Sequence, residues 1–158
     1  MTTMQRVLVL AALFGLAALA GWSQPLVAQS AKPPIFADFR SKLALDGYDV
    51  VAYFKGGKPV KGVDAHVVSW NGATWRFASA ESKAAFEADP KAFAPQYGGY
   101  CAWAVSEGYT AKGDPNHWRI VGNKLYLNYN ASVQKSWEKD VPGRITKGDR
   151  NWPTVLGK

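Results

Sequence analysis

The chain has 158 residues, a net charge of +7 from 19 Lys and Arg against 12 Asp and Glu, seven tryptophans, two methionines and one cysteine. A single cysteine excludes an internal disulfide, and with the only methionines at positions 1 and 4 a thioether-rich copper site is excluded too. The basic residues are scattered singly and form no stripe, so nucleic acid is not an expected partner.

Met1 to Arg6 is a short polar start, and Val7 to Gly21 is an almost unbroken apolar run. Gln24 and Pro25 break it, and small residues follow around Ala28 and Ser30, the layout of a secretory signal over residues 1–30. A retained anchor needs about 20 apolar residues, more than this run holds. The expectation is cleavage between Ala28 and Ala31, a periplasmic or secreted product, and no stable membrane insertion afterwards. Loss of Arg6 leaves 18 basic against 12 acidic side chains, a charge of +6 suited to solubility near anionic envelope surfaces. The remaining stretch of about 130 residues is enough for one domain with its own core.

Residues 31–42, with Pro33 and Pro34, read as an extended lead-in. In Leu43 to Phe54 a turn at Asp46-Gly47 precedes an alternating pattern, Tyr48, Val50, Ala52 and Phe54, that predicts a strand. His66 to Trp70 and Thr74 to Ala78 flank Asn71-Gly72 as a hairpin. Ser79 caps a helix over Ala80 to Ala88, and Asp89 caps a second, short one that opens at Pro90. Asp114-Pro115 marks a turn. Trp118 to Val121 and Leu125 to Tyr129 flank Gly122-Asn123 as a second hairpin, and Asn130 or Ser132 caps a helix through Trp137. The segment after it, rich in Gly and Pro, reads as irregular, with residues 154–158 as a tail. No internal repeat is visible. The sum is an α+β fold in which two β-hairpins form an antiparallel sheet packed against short helices.

The stretch Gln96 to Gly108, Q-Y-G-G-Y-C-A-W-A-V-S-E-G, carries the lone Cys101. Gly98-Gly99 permits a sharp bend into a helix starting at Tyr100 or Cys101 and stopped by Gly108. A thiol at that positive end is expected to have a lowered pKa. Against this, Cys101, Ala104 and Val105 share one helical face, the spacing of a buried, inert thiol. Both readings stand on the residues alone.

The run from Gly72 to Phe93, G-A-T-W-R-F-A-S-A-E-S-K-A-A-F-E-A-D-P-K-A-F, resembles the YHS domain, a small metal-associated module. Phe77, Ser79, Phe86, Pro90 and Phe93 match its pattern, whereas its two cysteines are replaced by Ala78 and Ser82. Alanine has no donor atom and a serine hydroxyl is a poor soft-metal ligand, so the family's usual metal site is expected to be absent. With L-D-G-Y-D-V-V-A-Y-F, Q-Y-G-G-Y-C-A, K-L-Y-L-N-Y-N and a late N-W-P, the chain is similar over residues 43–153 to an exported bacterial group of YHS-domain proteins. Some members of that group are labelled selenoproteins, with selenocysteine at the Gly-Gly-Tyr-Cys position, which implies redox or soft-metal chemistry at Cys101.

Three functional readings follow. In the first, Cys101 binds a soft or borderline metal, Cu or Zn, with His117, His66 or a carboxylate such as Glu107 or Asp114. In the second, Cys101 is a catalytic thiol that attacks a peroxide or disulfide, the resolving thiol coming from another molecule because there is no C-x-x-C. In the third, a non-catalytic envelope module binds a small ligand or an unidentified protein partner through aromatics, in a pocket of Tyr97, Gly98, Gly99, Tyr100 and Trp103. A lone cysteine without an adjacent base is incomplete as an enzyme, which favours binding over turnover.

Overall fold

Asp49 sets the first element. Its Oδ1 accepts from the amides of Val51 (2.9 Å) and Ala52 (3.3 Å), which starts helix α1, Val50–Gly56, where the alternating pattern predicts a strand. The same residues also satisfy helical spacing, with Val50 and Tyr53 buried and Phe54 beside them, and the cap decides between the two periods. Gly57, in the left-handed region at φ 63°, ends the helix. This computed structural model describes residues 31–158, so the signal reading of residues 1–30 lies outside the described residues. Among the described residues no helix is long and apolar enough to cross a membrane.

Strands β1, Val63–Trp70, and β2, Ala73–Phe77, pair antiparallel around Asn71 and Gly72, both at positive φ, as a two-residue hairpin turn requires. Helices α2, Ala80–Ala88, and α3, Pro90–Phe93, follow, capped by Ser79 and Asp89 as expected. A short turn of helix over Gln96–Gly99 leads to α4, Ala102–Ser106. The second hairpin is β3, Asp114–Val121, and β4, Lys124–Asn128, turning at Gly122-Asn123; the expected Asp114-Pro115 turn lies inside β3 as an irregularity in its register. Asn130 caps α5, Ala131–Glu138. Residues read as irregular form α6, Val141–Asn151, capped by Asp140 with Pro142 in its first turn. The supposed tail is not free: Val155 and Leu156 are buried, and the Leu156 carbonyl accepts from Lys32 N–H at 2.8 Å.

The α+β class holds, but each hairpin is its own two-stranded sheet. The reason is an internal repeat that the sequence conceals. The two hairpins have the same dimensions, strands of 8 and 5 residues, and the same register shift near the start of the longer strand, at Val63/Val67 and at Asp114/Trp118. Ahead of each, a glycine amide reaches back to a glycine carbonyl, Gly62 to Gly47 at 2.9 Å and Gly113 to Gly99 at 3.1 Å. Asp49 N–H donates to Val60 O at 2.8 Å, and Cys101 N–H to Ala111 O at 2.9 Å. Inside the halves, Trp75 lies on Phe86 and Tyr126 on Trp137 at the same interplanar angle of 35°. Each half therefore carries a hairpin, a capped helix and its own aromatic cluster, and α1 and α4 are counterparts.

Candidate functional site

The repeat places Cys101 in the second half where Asp49 stands in the first. Both residues precede a short helix as its cap, and both are shut from solvent, Asp49 at 0% and Cys101 at 1% exposure. Asp49 uses both carboxylate oxygens: besides the α1 amides, its Oδ2 accepts from Ala78 N–H at 2.9 Å. Around Cys101 the backbone N–H groups of Ala104, Tyr129 and Trp103 face the sulfur and favour its charged form, yet burial outweighs them and pushes the thiol pKa up. The expectation of an acidified thiol is therefore corrected. Desolvation of a charge at a buried position exceeds what three amides return, and the buried reading of Cys101, Ala104 and Val105 is the one observed.

One side chain next to the sulfur is unusual. Asn128, 0% exposed, places its Oδ1 3.9 Å from Cys101 Sγ and 3.3 Å from the Trp103 amide, while its Nδ2 is buried without a partner. On its other side Cys101 lines a cleft of about 250 Å3 with Trp103, Tyr109, Ala111, Tyr129 and Val133. Tyr109 and Tyr129, 51% and 55% exposed, are large apolar side chains left in solvent at this cleft. Trp103 is fixed from another element: the Arg144 guanidinium of α6 lies 3.6 Å from its ring centroid, and Arg144 also pairs with Glu107 and donates to Ser106 Oγ at 3.2 Å.

The other sequence-predicted pocket residues are dispersed. Tyr97 and Gly98 line a cleft with Trp152, Trp70 and Lys91, whereas Tyr100 lines a different one with Lys32, Phe36 and Lys112. Gly99 lines neither and is buried. Tyr97 is an anchor, its hydroxyl donating to Asp149 Oδ1 of α6 at 2.9 Å, and the Tyr100 hydroxyl donates to Pro33 O at 2.9 Å.

The proposed metal ligands do not gather. His66 and His117 are counterparts in the repeat, one on each hairpin. His66 lies by the start of α2, where it adds to the lowering of the Glu81 carboxyl pKa produced chiefly by the local backbone N–H and Ser79. Glu107 is paired with Arg144, and Asp114 accepts from Asn116 N–H at 2.8 Å. Among the described residues no group of three or more His, Cys, Asp or Glu side chains could hold a metal ion. Ala78 offers its amide to Asp49 and Ser82 offers its amide to Ser79.

The sequence reading missed Tyr109, Asn128 and Val133 and treated Tyr129 as strand packing.

Burial also shapes the response to alkali. It raises the pKa of Cys101 and of the Tyr53, Tyr97 and Tyr100 hydroxyls, and that of Tyr126 to about 12. Each group keeps its proton in the fold to a higher pH than in the unfolded chain, so above the reference values the unfolded state binds fewer protons and stability falls. Thermal melts should therefore show a steady loss of Tm from about pH 9 upward, and a Tm independent of pH up to about 11 would contradict this assignment. No protein-family model, curated protein or solved structure matches the chain.

Proposed function

We propose that the protein is an exported, YHS-like binding protein that holds a small apolar or aromatic ligand in the cleft floored by Cys101 and walled by Trp103, Tyr109 and Tyr129. The observation that carries this reading is the pair of half-exposed tyrosines flanking a buried, protonated thiol. Large apolar rings left in water beside a concave, mostly apolar wall are what a small flat ligand would cover. A neutral thiol serves there as a soft, polarisable floor. The amino-terminal pattern supports export, and the matches at Phe77, Ser79, Phe86, Pro90 and Phe93 support the likeness to YHS domains. A Cu or Zn site is less well supported, because the described residues bring no second donor set to the thiol. Redox turnover has no adjacent base and no resolving cysteine in the chain.

The test is titration of the isotope-labelled protein with p-cresol and indole as probes. Amide shifts are expected at residues around Cys101, Tyr109 and Tyr129, with an affinity of about millimolar or better for so few atoms. Tyr129→Ala should weaken binding about fivefold and barely move Tm, since its ring is half in solvent already. Shifts spread over the whole surface, or an affinity indifferent to Tyr129→Ala, would remove the reading. Zn(II) or Cu(I) shifting the same amides only while Cys101 is present would replace the apolar ligand with a metal.

A further inference from the structure

Cys101 occupies the position of a carboxylate. Its counterpart Asp49 is a buried anion whose two oxygens are held by the amides of Val51, Ala52 and Ala78. Shifted into the second half, those three amides are the ones of Trp103, Ala104 and Tyr129, the groups that face the Cys101 sulfur. A thiol cannot use them well, having one large, weakly accepting atom where the first half has two oxygens. Beside it, the fully buried Asn128 amide leaves Nδ2 without an acceptor, an unmet donor in a position that Phe77 fills with an apolar ring in the first half. The surroundings of Cys101 thus hold more donors than the thiol satisfies, and all suit oxygens carrying negative charge.

We propose that Cys101 is an oxidation site whose stable product is the sulfinate, held as Asp49 is held. Hydrogen peroxide is the oxidant, a molecule small enough to enter the cleft between Tyr109 and Tyr129 that Cys101 lines. In the first step sulfur attacks the peroxide, the O–O bond breaks, an S–O bond forms, and the thiol is converted to sulfenic acid with release of one water. A second hydrogen peroxide adds the second oxygen in the same way and releases a second water, after which the sulfinic acid ionises. The sulfinate has two oxygens on a short stem, like the aspartate carboxylate. Trp103 N–H can then leave Asn128 Oδ1 for a sulfinate oxygen, as Val51 N–H meets Asp49, and the Asn128 amide is free to turn Nδ2 towards the new charge. A third oxygen finds no counterpart in the Asp49 arrangement, so oxidation is expected to pause at two. The raised thiol pKa makes the first step slow at neutral pH and faster in alkali.

The proposal uses the cleft for access and does not require that a ligand bind there. It is tested by treating the purified protein with hydrogen peroxide and following intact mass, with the site located by fragmentation. Cys101 is expected to gain two oxygen atoms, about 32 Da, to stay there while peroxide remains, and to leave Tm equal or higher. Cys101→Asp, which installs the first half's own carboxylate, should melt at least about 2 °C above Cys101→Ala, a comparison independent of peroxide access. Absence of oxidation at Cys101, oxidation passing directly to three oxygens with loss of Tm, or Cys101→Asp melting below Cys101→Ala would each overturn it. Probe binding by p-cresol, measured on the unoxidised protein, reports separately on the ligand reading.

Discussion

Asp49→Ala is expected to lower unfolding free energy by about 3–5 kcal/mol, a large part of the about 5–15 kcal/mol available to a domain of this size. The carboxylate accepts from three amides, two at the start of α1 and one from Ala78, which lies 29 residues away in sequence. Alanine leaves the α1 cap empty, strands the buried Val51 donor at about 1–3 kcal/mol, and breaks the part-buried bond that ties the Ala78 amide to α1. Ala52 suffers less, because its 3.3 Å bond is long and its amide is also within reach of the Asp49 carbonyl. Asp49→Asn retains one acceptor oxygen and should cost about half as much. Urea denaturation measures both, as a shift in midpoint at constant slope. A loss below about 1 kcal/mol for Asp49→Ala would mean that water enters the site and that Asp49 does not hold α1 to the first hairpin.

That long-range bond also marks where the sequence stops being readable. Asn71-Gly72, Gly122-Asn123, Ser79, Asp89 and Asn130 act on their immediate neighbours, so both hairpins and three helices were legible. The choice between strand and helix after Tyr48 is made by the cap at Asp49, whose carboxylate also reaches Ala78, 29 residues on, which no local pattern reports. Helix α6 was hidden by Pro142, Gly143 and Gly148, residues that usually break helices. Here Pro142 lies in the first turn, where its missing N–H costs nothing, a side chain at Gly143 would collide with the capping Asp140 carboxylate, and one at Gly148 would fall on the Tyr97 ring. The repeat escaped notice because its halves share geometry and few identities, such as Gly47-Tyr48 with Gly99-Tyr100, His66 with His117 and Asp89 with Asp140.

Cys101 was conspicuous because it is unique, and its place at a helix start was legible from the glycines before it. Its acidity was not. The amides that face the sulfur were foreseeable from a helix start, but the burial that overrides them involves β4, where Leu127 pairs with Cys101 and Asn128 lies beside the sulfur. Whether Tyr109 and Tyr129 point in or out is likewise decided by elements remote in sequence, and so is the replacement of an apolar Phe77 by Asn128 in the repeat. The features that separate the second half from the first, a thiol for a carboxylate and an amide for a ring, become informative only when the halves are superposed.

Gly98→Ala should be nearly as damaging as loss of Asp49, at about 3 kcal/mol or more, for a reason of shape. Gly98 sits at φ 62°, where an L side chain costs about 1–2 kcal/mol, and a Cβ built on it falls on the Pro34 carbonyl oxygen. Backbone cannot yield there cheaply. The Gly98 carbonyl accepts from Phe36 N–H at 2.9 Å, the Tyr100 hydroxyl holds Pro33, and Ile35 is buried against the first-half core. To admit a methyl group the lead-in must lift from the loop, which breaks these contacts together. Gly99→Ala is the control: at φ 88° it carries similar backbone strain, but its Cβ would meet nothing closer than the Leu45 side chain at 3.9 Å. Gly98→Ala should therefore lose clearly more stability than Gly99→Ala and should open residues 31–42 to limited proteolysis, while Gly99→Ala leaves them protected. Equal losses and equal protection would leave Gly98 with no role beyond permitting the bend ahead of Cys101. The expected inequality makes the first glycine of the pair a packing residue, admitting the amino-terminal segment, and leaves the chemistry of this stretch to the sulfur and the donors that surround it.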